Sequence, residues 1–128
     1  MRLLLDTNIL VALSPRALRP LDARLRATIL TADDNVCFAS VVSIWEVAIK
    51  TRLGKLDTGL SPTDFAGYLE AIGLALFSIH RDHVLAELDP EPGTRDPFDR
   101  LLLAQCRVES LRLVTRDRAL AAHPLAWR

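Results

Sequence analysis

Short apolar runs that lead directly into helical patterns restrict this chain more than any other feature. Residues 3–5 (Leu-Leu-Leu), 36–39, 74–79 and 111–114 read as strands, because each is apolar, brief and bounded by polar or turn residues. Helical spacing follows each run: 7–13 after the first, 40–53 after the second, 82–88 after the third, 116–122 after the fourth. Further helices are expected over 21–30, from Ser61-Pro62 to near Gly73, and over 98–109. The 40–53 helix carries Val42, Trp45, Ile49 and Leu53 on one stripe, and Gly54 is a fitting stop. Residues 125–127 are expected to add a short edge strand, and 89–97 (DPEPGTRDP) to form a loop. Strand alternating with helix predicts an α/β fold in which a parallel sheet is covered by helices on both faces.

The 128 residues suit one compact domain, 1–128, with no repeat or linker. Formal net charge is zero, so a nucleic-acid partner has to meet a local basic patch rather than a global positive field. Cys37 and Cys106 lie in apolar runs and read as buried free thiols, not as a secreted disulfide framework. The Met-Arg start and the apolar residues after it look superficially like a signal peptide, but Asp6 and Asn8 interrupt the run and Pro15 ends it. With no apolar stretch near the ~20 residues of a membrane span, the expectation is a soluble cytoplasmic protein.

The acids need two readings. Asp6, Asp96 and Asp117 each stand where a helix cap belongs, Asp96 with Pro97 at the first helical position. Glu46 completes a Ser43-x-x-Glu46 capping box and stands four residues before Lys50, the spacing of an ion pair. In a parallel sheet, however, every strand-to-helix junction lies on one edge, where such folds place ligands. Asp6, Asp117 and the early turns bearing Glu46 and Asp99 then converge on one crevice. Crowded carboxylates repel one another, and a divalent cation relieves that repulsion; oxygen donors alone favour magnesium or manganese. A cation held by few carboxylates keeps positions open for water and phosphate oxygens, the arrangement that phosphodiester hydrolysis needs. Asn8 and Thr115 are neutral neighbours able to steady ligands or waters, and Arg95, Arg100, Arg116 and Arg118 flank the acids where a nucleic-acid backbone would pass.

Other chemistries fit less well. Neither G-x-x-x-x-G-K nor G-x-G-x-x-G occurs. A phosphatase that phosphorylates its aspartate wants a second acid two residues on, where this chain has Asn8. His80 and His83 have a metal-compatible spacing but no partner ligand nearby in sequence, and neither cysteine has an activating neighbour.

Four segments together, LLLDTNIL at the start, SVVSIWEVAIKTRLGKL over 40–56, RDPFDRLLLAQC over 95–106 and LVTRDRAL over 113–120, resemble the PIN-domain ribonucleases, specifically the VapC-type toxins of toxin–antitoxin pairs. The resemblance covers essentially the whole chain. It implies a three-layer α/β/α sandwich around a mostly parallel sheet, usually dimeric, and magnesium- or manganese-dependent cleavage of RNA. The family's acidic tetrad maps onto Asp6, Glu46, Asp99 and Asp117, with Asp6 and Asp99 as direct metal ligands and Asp96 left to capping or support. The implied partner is a small antitoxin that blocks the acidic crevice. Related sequences with the D-P-F-D-R motif often have histidine where this chain has Asn8, and histidine where it has Thr94. Two other readings remain: a PIN nuclease of RNA processing without an antitoxin, and a catalytically silent PIN fold that only binds.

Overall fold

The computed structural model describes residues 1–127. Its elements are β1 (Arg2–Leu5), α1 (Thr7–Ala12), α2 (Ala23–Leu30), β2 (Val36–Ser40), α3 (Val41–Arg52), α4 (Pro62–Ala71), β3 (Ala75–Phe77), α5 (Arg81–Leu85), α6 (Pro97–Glu109), β4 (Arg112–Val114) and α7 (Arg118–Ala121). The four strands pair in parallel in the order β3-β2-β1-β4. Leu4 stands opposite Phe38 on one side and Leu113 on the other, so β1 is central.

Alternation along β1 explains the layers. Leu3 and Leu5 point into a core with Ile9, Leu10, Ile29, Phe65 and Leu69 from α1, α2 and α4. Leu4 points the opposite way, into a core with Leu102, Leu103 and Cys106 of α6 and Leu120 of α7. Helix α3 serves both cores, Val47 the first and Val42 the second. Each fully buried Leu or Phe contributes about 1.5–3 kcal/mol over leaving it exposed, so losing the alternation would cost both cores at once. The result is a three-layer α/β/α sandwich around a parallel sheet, as expected.

Several boundaries differ from the sequence reading, each for a local reason. Strand β3 stops at Phe77 instead of continuing to Ile79, because its partner β2 ends opposite it at Ser40 and turns into α3. Helix α5 ends at Leu85, three residues early, where Ala86 turns extended and Leu88 goes down into the second core. At the C-terminus, 125–127 makes a single parallel bridge, Ala126 to Leu113, and no full strand. The Ser43–Glu46 capping box does not form: Ser40 caps α3 by accepting from the Val42 N–H, which places Ser43 inside the helix. The Glu46–Lys50 ion pair is present, at 2.6 Å. Gly54 takes a φ of +71° just past the α3 C-cap, the left-handed stop that glycine favours. Cys37 and Cys106 are free and buried. Among the described residues no helix is long and apolar enough to cross a membrane.

Candidate active site

All strands run the same way, so their carboxyl ends share one edge, and the order β3-β2-β1-β4 places the topological switch between β1 and β4. Asp6 follows β1 there, and residues 115–117 follow β4. The two junctions are tied together by the Asp6 N–H, which donates to the Val114 carbonyl at 2.9 Å. Asp6 is 3% exposed. One of its oxygens accepts from the Thr7 N–H and the other from the Thr115 hydroxyl, both at 2.7 Å. The capping and site readings of Asp6 are therefore compatible, since each carboxylate oxygen has two lone pairs and one remains beyond each bond.

The same wiring occurs twice. In Thr115-Arg116-Asp117, the Thr115 hydroxyl accepts from the Asp117 N–H at 3.0 Å, and Asp117 caps α7 by accepting from the Ala119 N–H at 2.9 Å. In Thr94-Arg95-Asp96, Thr94 accepts from the Asp96 N–H at 3.1 Å, and Asp96 caps α6 by accepting from the Phe98 N–H at 2.8 Å. Having accepted from a backbone N–H, each hydroxyl turns its hydrogen to a second acid: Thr115 to Asp6, and Thr94 to Asp99 at 3.1 Å. Thr94 is the residue the sequence reading left without a role. Its signal was the repeated T-R-D tripeptide.

Glu46 approaches from α3. It is buried, and Lys50 one turn on partly neutralises it. Thr7 donates to Ser43 at 2.9 Å, which holds α3 against α1 and fixes Glu46 relative to Asp6. Trp45 and Phe98 meet edge to face at 5.3 Å between centroids. Each directly precedes a tetrad acid, so this contact pins the helices bearing Glu46 and Asp99.

The electrostatics register the crowding. Burial raises the Asp6 carboxyl above the usual range; the bonds from Thr115 and Thr7 oppose that rise, and the charges of Glu46 and Asp117 add to it. Asp99 is pushed up to about 6, first by burial and then by the charges of Asp96 and Asp6, with Thr94 pulling the other way and Asp117 adding a little. The acids thus sense one another across a single crevice. Among the described residues, however, no three His, Cys, Asp or Glu side chains gather closely enough to close around a metal ion. An all-carboxylate, open donor set of this kind fits a hard cation that keeps several of its waters, and does not fit a fully caged one.

The remaining expected residues are placed as follows. Asn8 is exposed beside the crevice on α1, and Arg95 and Arg118 are exposed. Arg100 pairs with Glu91. The Arg116 guanidinium donates to the Arg19 carbonyl at 2.9 Å, so it braces a loop. His83 lies apart from the crevice, its Nδ1 accepting from the His80 N–H and its Nε2 facing Glu109, both at 2.9 Å.

Among curated proteins none matches the chain. Among solved structures, a chain of the crystal structure of VapBC2 from Rickettsia felis bound to a DNA fragment from their promoter is similar over the full length of both chains, with a TM-score of 0.70 at 17% identity. At that identity the likeness is one of fold. The family model described as PIN domain matches residues 3–124, nearly the whole sequence, and on that match the chain belongs to the PIN domain family.

Proposed function

We propose that the chain is a single nuclease domain, 1–128, that hydrolyses RNA internally with magnesium or manganese and serves as the toxin of a toxin–antitoxin pair. The observation that carries the reading is the set Asp6, Glu46, Asp99 and Asp117, mutually repelling at the carboxyl edge of the sheet in a PIN fold. Asp6 and Asp99 are the direct ligands, and Glu46 and Asp117 complete the set directly or through water. When bound, the divalent ion supplies a Lewis acid for water attack on a phosphodiester and for charge on the leaving oxygen.

The chain's own residues do the rest. Thr115 and Thr94 hold Asp6 and Asp99 in fixed rotamers, each donating to one carboxylate oxygen. Asp96 keeps the start of α6, and with it Asp99, in place. Asn8 orients water or substrate at the crevice mouth, and Arg95 and Arg118, both exposed, meet the backbone of the RNA, with Arg100 and Arg116 reaching it through the N–H groups not held by Glu91 and the Arg19 carbonyl. A small antitoxin is the partner, a reading supported by the fold shared with a chain of the VapBC2 structure. A homodimer acting in the cytoplasm completes the proposal.

The test is cleavage of a structured RNA by purified protein with magnesium, with manganese and with EDTA, beside Asp99→Asn. Cleavage that needs the metal and vanishes in the variant supports the reading. Cleavage that persists in EDTA sinks it, and a protein that binds no divalent ion is a binding module instead.

A further inference from the structure

The expected local basic patch shares only Arg116 with the four arginines that flank the acids in sequence. A cavity of about 680 Å³ opens beside the acids, between α1, the 14–20 loop and the turn that follows α3. Asn8, two residues after Asp6, is on its wall. Val11, Ala12 and Leu56 give it an apolar lining, and four cationic side chains, Arg16, Arg19, Lys55 and Arg116, face a single carboxylate, Asp57. The chain as a whole has no net charge, so this concentration is a local feature.

The four cations divide into two kinds. Arg16 and Arg116 are braces: Arg16 pairs with Asp57 at 2.8 Å, and Arg116 holds the Arg19 carbonyl. The Arg16 stem also lies across Gly59, where an added Cβ would come within 3.0 Å of its Cγ. Together these contacts fix both walls. Arg19 and Lys55 have no side-chain partner among the described residues and are exposed on those fixed walls. Unpaired cations above an apolar lining suit a ligand with both phosphate and a flat apolar face.

We infer that this cavity seats a nucleotide flanking the scissile phosphate, with Arg19 and Lys55 on the phosphate and Val11 and Leu56 under the base or ribose. The inference rests on the nuclease reading for its substrate class but uses different residues. It gives the RNA strand a path from the acidic crevice, past Asn8, into a positive pocket, so the strand is gripped outside the zone where carboxylates repel it.

The test is binding of fluorescein-labelled hexauridylate by anisotropy, over a salt series in EDTA, for wild type and for the Arg19→Ala/Lys55→Ala double variant. EDTA isolates the pocket from any phosphate bridged through a metal. Each phosphate neutralised on a single strand contributes about 0.7 to the slope of log affinity against log salt, so the double variant, which gives up the one phosphate that Arg19 and Lys55 share, should lose about 0.7 of slope. Its manganese binding, read by electron paramagnetic resonance, and its melting temperature should stay at wild-type values. An unchanged slope, or no binding of hexauridylate by wild type, overturns the inference. Displacement by hexaglutamate as effective as by hexauridylate also overturns it, and assigns the pocket to an acidic protein segment. If the double variant loses the slope as expected yet wild type binds no manganese, the pocket stands and the metal nuclease reading falls.

Discussion

Asp99→Asn should make the metal-free protein more stable, by an amount that depends on pH. Asparagine keeps the shape, and its amide oxygen still accepts from Thr94, so the change removes little besides a charge. In the folded protein the Asp99 carboxyl is raised from 3.8 to about 6. A raised acid binds its proton more tightly folded than unfolded, so the cost to stability is full above the folded value. That cost fades as pH falls through the window from about 6 to 3.8, where the folded state gains protons first. That rise sets a ceiling of ~3 kcal/mol on the cost. Asp99 is only partly buried, so solvent screening reduces this to about 1–1.5 kcal/mol. For a chain of this size that is a rise of about 3–7 °C in melting temperature.

The assay is thermal unfolding followed by circular dichroism in EDTA, at about pH 8 and again near the lower end of the window. The variant should lead at the higher pH and converge with wild type at the lower. Magnesium should reverse the order, since a ligand at a hundredfold excess over Kd adds about 2.7 kcal/mol to the protein that binds it. A variant less stable than wild type at high pH would refute the argument. So would an advantage that does not change with pH, because repulsion and burial of a charge could then not be its source.

Three further outcomes follow from the same geometry. Thr94→Val should weaken manganese binding by about tenfold, as loss of a ligand's hydrogen-bonding partner does, while Thr94→Ser retains it; equal affinities measured by electron paramagnetic resonance would remove Thr94 from the site. Lys50→Met should cost about 1–3 kcal/mol by leaving buried Glu46 uncompensated, and an unchanged urea midpoint would show that the ion pair contributes nothing. Ser110 ends α6 at a φ of +57°, so Ser110→Gly should add about 0.5–1 kcal/mol in urea unfolding, and a loss of stability would contradict the strain argument.

Much of the fold was legible because it is written in local periods. The leucines of β1 need a sheet with two buried faces, and Asp6, Asp96 and Asp117 announce helix starts through their own side chains. The α3 cap falls at Ser40 although only Ser43 has an acid three residues on; the local S-x-x-E pattern does not show that β2 ends at Ser40, which leaves Ser43 inside the helix to accept from Thr7. Thr115 is marked by its place right after a strand, whereas Thr94 lies in a loop with no strand before it, and only the repeated T-R-D tripeptide links the two. The basic cavity was out of reach for a different reason. Its cations come from the 14–20 loop, the turn after α3 and the β4–α7 junction, and only the assembled fold brings those segments together.

The double duty of the capping aspartates has a consequence for how this sequence could drift. Asp6 and Asp117 hold helix ends, so a descendant that abandoned chemistry would still be penalised for losing them. Glu46 and Asp99 cap nothing. Glu46 is a buried charge answered, among the described residues, by Lys50 alone, and Asp99 is raised first by burial and then by its neighbours, so without a divalent cation both cost the fold. Relaxed selection would erase those two first, and a relative that keeps D-T-N and T-R-D but has lost Glu46 and Asp99 would be a retired enzyme whose most recognisable motifs survive as scaffolding.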